Sequence, residues 1–153
     1  MKLVSYLFNE ETRLGLLQNG KVIDLHKEDP RIPSKMSLFL DDWEAAFPRV
    51  QAISRDEITA SIGLENVQLL APIPDPKSCR DAYAFRQHVE AARRNRKVAM
   101  IDEFDQFPIF YFTNHHSIQG PGEIHCMPDH FQKLDFELEV AIVICKKGKN
   151  ITA

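Results

Sequence analysis

LDFELEVAIVIC, residues 134–145, is the stretch of sequence that decides the expected fold. Its β-branched content predicts a strand internal to a sheet. Because strand side chains alternate between faces, Glu137 and Glu139 fall together, opposite an apolar face that includes Leu138 and Val140. Two adjacent carboxylates on an apolar strand resist desolvation unless a cation or several donors neutralise them. We expect a hard divalent ion, while a strand edge with both glutamates facing water is the alternative.

A second informative stretch lies upstream, at residues 81–97, which are rich in Ala, Arg, Gln and Glu and contain no Gly or Pro. This composition favours a helix. On a continuous helix, Asp81 and His88 would lie two turns apart on one side, within reach of one pocket. A helix cap for Asp81 and an ordinary surface or core position for His88 are the alternatives.

Between these stretches, PIFYF at residues 108–112 predicts a buried strand, and the segment 120–122, Gly-Pro-Gly, predicts a turn. The basic run at residues 93–97 suits the C-terminal end of a helix, where the dipole is negative. An arginine of this run that grips a substrate carboxylate is the alternative.

A group of histidines follows the PIFYF stretch. His115 and His116 are adjacent, and His125 and Cys126 are close by in the sequence. Their spacing matches no tetrahedral metal template, so we predict a surface loop.

The N-terminal region predicts a small β-unit with one helix. Asn19-Gly20 between two apolar runs, residues 14–18 and 21–25, is a strong hairpin signal. Ser37 is expected to cap a helix that runs through Phe47.

A proline-rich stretch, VQLLAPIPDP at residues 67–76, predicts an extended linker. We place the domain boundary there. Residues 1–70 are then a small N-terminal β-domain with one helix, and residues 71–153 are the beginning of a second domain.

The composition limits the possible partners and location. A net charge of -3 and a pI near 6.1 provide no broad positive field for nucleic acid or an anionic membrane. The three cysteines are widely spaced and fit neither a disulfide framework nor a structural zinc site. With neither an export signal nor a membrane-spanning run in view, we expect a cytoplasmic protein.

Three motifs occur together in one order: DAYAFRQHV at residues 81–89, PIFYF at 108–112, and LDFELEV at 134–140, with SIQGPGEI between the last two. This combination resembles the fumarylacetoacetate hydrolase family over roughly the whole chain. The resemblance implies an α+β, mostly β protein, with a small N-terminal β-domain followed by a mixed β-roll that has a divalent ion at its mouth.

The resemblance also implies roles for individual residues. Carried over by motif, Asp81, Glu137 and Glu139 are metal ligands for Mg²⁺ or Ca²⁺, with Mn²⁺ as a further option, and His88 is the base that activates water. Tyr83 and Tyr111 are expected to contact substrate. The implied reaction is metal-dependent hydrolysis of a carbon-carbon bond in a small diketo acid or acylpyruvate.

The resemblance leaves two points of difference. The family's remaining metal aspartate and a lysine belong to a segment beyond Ala153, so we expect an incomplete catalytic domain. Ala82 replaces an aromatic residue often found there, which affects the shape of the pocket.

Decarboxylase, hydratase or isomerase chemistry on a keto acid is an alternative function, as is an inactive fragment with a binding role or none. We expect a homodimer.

Overall fold

Two tight turns fold the first three strands into an antiparallel meander. The computed structural model describes residues 1–54 and 61–152. The strands are β1 (Lys2–Phe8), β2 (Glu11–Gln18) and β3 (Lys21–Asp24). Two short strands, β4 (Ile62–Gly63) and β5 (Gln68–Leu69), complete a five-stranded sheet in the order β4-β3-β2-β1-β5. Every pairing is antiparallel.

The predicted hairpin at Asn19-Gly20 is confirmed. Both residues have positive φ, 52° and 74°, and Gln18 pairs with Lys21 on either side of them. This is the backbone that a two-residue type I′ turn requires. A similar turn at Asn9-Glu10, with φ of 50° and 66°, joins β1 to β2 and was not predicted.

Three short helices, and not the single one expected, cover the N-terminal sheet: α1 (Leu25–Glu28), α2 (Met36–Asp41) and α3 (Trp43–Ile53). Ser37 lies inside α2 and does not cap it. The expected helix is interrupted at Asp42, whose N–H bonds to Leu38 O while its carbonyl accepts from the start of α3. The adjacent acidic residues Asp41 and Asp42 are unfavourable at the C-terminus of one helix and favourable at the N-terminus of the next, which accounts for the break between α2 and α3.

The core of this unit lies between the sheet and these helices. Buried side chains from β2 and β3 pack with Phe39 of α2 and Val50 of α3. Phe39, Trp43 and Phe47 form an aromatic row, with ring centroids 5.4 Å and 4.2 Å apart.

A separate compact unit, Asp75–Ile118, contains the motif residues around Asp81; the other unit contains residues 1–74 and those from Gln119 onward. Within the unit Asp75–Ile118, β6 (Arg80–Ala82) pairs with β7 (Phe110–Phe112). The helix α4 spans Arg86–Asn95, so the expected helix begins five residues later than Asp81. The strand predicted in PIFYF forms, but it is exposed and not buried.

The strand predicted at residues 134–145 is not formed in the structure. The segment follows a 3-10 helix, Pro128–Lys133, and runs without ladder pairing to any described strand. Its apolar side chains are largely exposed, 95% for Leu138 and 94% for Val140. A strand requires a neighbour for its backbone groups, and no described segment supplies one. As a result, α-helix and strand contribute similarly, and the fold is mixed α and β, not mostly β.

Candidate active site and metal-binding residues

Asp81 lies in strand β6 and not on a helix. Its Cα partner in β7 is Tyr111, and the next backbone bond of the ribbon joins Tyr83 N to Ile109 O at 3.1 Å. The cap residue of α4 is Phe85. The expectation that Asp81 and His88 share one helix, and the alternative of Asp81 as its cap, are therefore both wrong, because pairing with a segment 30 residues away determines the backbone of Asp81.

The carboxylate of Asp81 is held by a tyrosine. Tyr111 Oη donates a hydrogen bond to Asp81 Oδ2 at 2.5 Å. This is the short range typical of a hydroxyl bound to an ionised carboxylate. The sequence had suggested Tyr111 only as a substrate contact. That role and the one predicted for Tyr83, a residue that is 40% exposed, stay predictions.

His88 lies in the first turn of α4, one residue before the buried Val89. Its imidazole is exposed, and no hydrogen bond to it is found among the described side chains. The ring is therefore accessible to a small molecule. Its role as base stays a prediction.

Arg86 is a feature of this unit that the sequence analysis missed. Its Nε donates to Glu90 Oε1 at 2.8 Å, and its Nη1 contacts both carboxylate oxygens of Asp105, 2.6 Å from Oδ2. Hydrogen bonds to Asp105 and then Glu90 raise the pKa of Arg86 above its ordinary value. The i,i+4 spacing of Arg86 and Glu90 is a sequence signal, whereas Asp105, in a 3-10 helix 19 residues on, gives none.

The basic run closes the end of α4. Arg93 Nε donates to Ala99 O, and the chain reverses through Lys97, whose φ is +58°. Arg93 and Arg94 occupy the last helical turn, as the dipole argument predicts. The alternative of an arginine gripping substrate is untested.

Glu137 and Glu139 lie on the exposed, unpaired segment of the other unit. Next to them in the sequence, Phe136 N donates a local hydrogen bond to Asp135 Oδ1 at 2.9 Å. Their expected alignment on a strand face is not formed. Their joint use with Asp81 stays a prediction.

The chemistry of the three proposed ligands suits a hard divalent ion, because all three are carboxylates. Asp81 is already oriented, with one oxygen bound by Tyr111. Among the residues whose side chains the structure describes, 1–54, 61–129 and 132–152, however, there is no group of three or more His, Cys, Asp or Glu that could hold a metal.

The two adjacent histidines of this group lie in a turn. His115 and His116 lie in a 3-10 helix, with ring centroids 4.1 Å apart, and Asn114 caps it by accepting from His116 N. His125 and Cys126 lie in an irregular segment.

None of the described helices is long and apolar enough to span a membrane.

Comparison with known proteins gives a consistent group of relatives. A family model described as fumarylacetoacetate (FAA) hydrolase C-terminal matches residues 77–153. A Xenopus laevis protein named oxaloacetate tautomerase fahd2, mitochondrial, is 32% identical over 99% of this chain and 46% of its own length. A Dictyostelium discoideum protein named fumarylacetoacetate hydrolase domain-containing protein 2 homolog is 29% identical, over 99% of this chain and 48% of its own.

One solved structure is also similar in part. Maleylpyruvate hydrolase from Sphingobium sp. SYK-6 is 25% identical, covers 52% of this chain and 30% of its own, and has a TM-score of 0.39. The chain spans about half the length of the curated relatives it matches.

Proposed function

The chain belongs to the fumarylacetoacetate hydrolase family, and from that premise we propose that it forms part of an enzyme that interconverts the keto and enol forms of a small keto acid such as oxaloacetate. The observation that carries the proposal is the 32% identity, over 99% of this chain, to a protein named as an oxaloacetate tautomerase. The isomerase alternative from the sequence is therefore preferred to carbon-carbon hydrolysis.

Tautomerisation requires a group that moves one proton and a site that stabilises negative charge on oxygen. In the keto-to-enol direction, a proton leaves the carbon next to the carbonyl, and the carbonyl oxygen gains a proton, so atoms balance without a co-reactant. His88 is the proposed acid-base group, because imidazole exchanges protons near neutral pH and this ring is accessible.

Asp81, Glu137 and Glu139 are the proposed ligands of a divalent ion, Mg²⁺, Ca²⁺ or Mn²⁺. When bound, such an ion would polarise the substrate carbonyl and stabilise the developing negative charge. Tyr83 and Tyr111 are the proposed substrate contacts.

Hydrolysis of a carbon-carbon bond in a diketo acid or acylpyruvate is the second candidate, because the matching family model carries the hydrolase name. His88 would then deprotonate a water molecule that attacks a carbonyl, the bond to the neighbouring carbon would break, and that carbon would leave as an enolate and regain the proton, giving a carboxylic acid and a keto acid. Both candidates use the same base on different substrates.

The two candidates are separated by assaying the protein with enol-oxaloacetate and with an acylpyruvate. We expect faster decay of the enol than in buffer and a loss of about 10²-fold or more in His88→Gln, as for other general acid-base residues. His116→Gln, an exposed histidine in the Asn114-capped turn, is the matched control. Acylpyruvate cleavage without faster enol decay would favour the hydrolase over the tautomerase. The absence of both activities would support the alternative of an inactive fragment.

The metal proposal is tested by calorimetric titration of Mg²⁺, Ca²⁺ and Mn²⁺. Glu137→Gln with Glu139→Gln is expected to abolish binding. A charge-matched control, Glu123→Gln with Asp135→Asn, also removes two carboxylates but is expected to keep it. Equal loss in both pairs would indicate general charge attraction and not a site.

The remaining proposals concern the oligomeric state, the binding partners and the cellular location of the enzyme. We propose a homodimer that acts on a small keto acid and binds neither nucleic acid nor membrane. The proposed location is the cytoplasm; the Xenopus relative is named as a mitochondrial protein, so fractionation should include mitochondria.

A further inference from the structure

The segment 134–149 has the sequence of a strand but no pairing partner in the described part of the chain. Among the described residues, no backbone-to-backbone hydrogen bond involves residues 135–149, and no strand of either sheet pairs with them. Large apolar side chains along the segment, including Leu138 and Val140, are exposed. Unpaired N–H and C=O groups on such a segment form an edge with which another extended segment can pair. A second copy of the chain carries such a segment.

Opposite charges lie in the two halves of this segment. Glu137 and Glu139 occupy the first half, and Lys147 and Lys149 occupy the second half with the same spacing. All four side chains are exposed, and none of them forms an ion pair with a described side chain. Opposite charges on facing strands stabilise the pairing, whereas like charges directly opposite each other destabilise it. The segment is therefore complementary in charge to a second copy that runs antiparallel to it.

One antiparallel register pairs all of these charges. It is the register in which Val143 lies opposite Val143 of the second copy. Glu137 then faces Lys149, and by the same count Glu139 faces Lys147. The twofold symmetry of the pair repeats both contacts, so each ion pair forms twice. All of these residues have odd numbers and therefore share one face of the ribbon.

The same register matches apolar residues on the other face. Ile142 faces Ile144 there, and β-branched side chains of this kind favour strand pairing. Centring the pair on Ile142 would give Asp135 a lysine partner but would place Glu139 opposite Cys145. Within this segment, only the first register gives both glutamates a lysine partner.

We propose that residues 134–149 pair with the same residues of a second copy as an antiparallel β-ribbon centred on Val143. This rests on the proposed homodimer and identifies the surface through which the two copies meet. The lysines neutralise the two glutamates in this state, in place of a divalent ion. Edge-to-edge pairing leaves both faces of the ribbon in solvent, so the apolar side chains stay accessible.

Sedimentation velocity of the full chain in EDTA tests the ion pairs, because no divalent ion then competes for the glutamates. Two variants reverse the charges: Glu137→Lys with Glu139→Lys, and Lys147→Glu with Lys149→Glu. In a dimer of either variant, like charges would lie opposite each other. The dissociation constant of the dimer should therefore rise about 10-fold or more.

A control and a rescue accompany these variants. Glu123→Lys with Asp129→Lys changes the net charge as the first variant does, at exposed residues outside the segment, and should leave the dissociation constant unchanged. An equimolar mixture of the two charge-reversal variants should dimerise with the affinity of the parent, because each lysine of one variant then faces a glutamate of the other. Circular dichroism establishes that all variants remain folded.

The outcomes separate the interface from the proposed homodimer. A monomeric parent would overturn the homodimer and the ribbon together. A dimeric parent whose affinity survives both charge reversals would leave the homodimer standing and overturn the ribbon. An equal loss of affinity in the control, or a mixture that does not regain affinity, would also overturn the ribbon, because the charges would then not face each other.

Disulfide formation between copies reports the register. In the proposed ribbon the two Val143 Cα atoms lie about 4.5–5.5 Å apart, so Val143→Cys should form a disulfide on oxidation. Ile142→Cys is the control and should not form one, because its two copies are offset by about 7 Å along the strands. Equal cross-linking of the two variants, or none in Val143→Cys, would contradict a ribbon centred on Val143.

Discussion

Tyr6 donates a hydrogen bond from its hydroxyl to Asp24 Oδ2 at 2.9 Å, and both side chains are buried. Arg13 Nε lies 2.6 Å from the same carboxylate oxygen, while Oδ1 accepts from Lys27 N and so caps α1. Gly15 leaves room for this arrangement, because a Cβ there would lie 3.0 Å from Tyr6 Cε1. One carboxylate therefore joins β1, β2, β3 and α1.

The pair predicts a loss of stability at alkaline pH. Burial, followed by the hydrogen bond and the negative charge of Asp24, raises the pKa of Tyr6 above its ordinary value. The folded state then keeps a proton that the unfolded state releases above about pH 10, so stability is full below that pH and falls above it. The slope from this residue is at most about 1.4 kcal/mol per pH unit.

Urea unfolding at about pH 9 and about pH 11 measures this effect, with the parent compared to Tyr6→Phe. The variant should lose less free energy of unfolding between the two conditions. Tyr83→Phe should behave as the parent does. An identical pH dependence in the parent and Tyr6→Phe would contradict the shifted pKa.

Asp24→Ala should be strongly destabilising. It removes the partner of Arg13, whose side chain is only 16% exposed, as well as the cap of α1. Breaking a buried pair in this way typically costs about 3–5 kcal/mol, which chemical denaturation can measure. Asp75→Ala, at an exposed aspartate, is the control and should cost little. A cost for Asp24→Ala below that of the control would show that the pair does not stabilise the fold.

The sequence predicted those parts of the fold that depend on neighbouring residues. Asn19-Gly20 specifies its own turn, because both residue types tolerate positive φ. Asn9-Glu10 makes an equivalent turn, yet a glutamate at φ of 66° is unusual enough that the sequence gives no signal. The pairing of β1 with β2 across this turn therefore had to come from the structure.

Long-range strand pairing explains the larger errors in the predicted secondary structure. Asp81 has helix-compatible neighbours, but its register with Tyr111 makes it a strand residue. Conversely, the pattern around Glu137 and Glu139 predicts a strand that is not formed, because no described segment pairs with it. A sequence pattern indicates which side chains suit a sheet, but it does not identify the segment that would pair with them.

Gly120, in the SIQGPGEI motif, should not tolerate a side chain. A Cβ there would lie 2.7 Å from both Leu69 O and Leu70 C, which are backbone atoms that cannot move aside alone. We expect Gly120→Ala to lower the free energy of unfolding by about 1–3 kcal/mol, as for other overpacked sites. Gly63→Ala is the control, because its added Cβ meets only the flexible Glu65 side chain. Similar costs for the two substitutions would refute the close approach.

Loss of the Arg86 ion pairs should loosen the 3-10 helix Asp102–Asp105. Arg86 connects it to the start of α4 through Asp105. In Arg86→Gln, amide hydrogen exchange should become faster at Gln106 and Phe107, whose N–H groups bond to Glu103 O. Arg94→Gln, an exposed arginine on the same helix, should leave these rates unchanged. Unchanged exchange in Arg86→Gln would mean that the segment is held by other contacts.

The exposed apolar side chains of residues 134–145 should bind a hydrophobic dye. Leu138, Val140 and Ile142 are 95%, 94% and 84% exposed and lie close together in the sequence, and monomeric proteins rarely leave such a group of large apolar side chains open. Replacing the three with Ser, Thr and Thr should reduce fluorescence of anilinonaphthalene sulfonate. The control replaces scattered exposed residues, as Leu38→Ser, Val98→Thr and Ile118→Thr, and should reduce it less. Equal reductions would indicate that the dye reports general hydrophobicity, whereas no reduction in the first variant would mean that the segment is covered in solution.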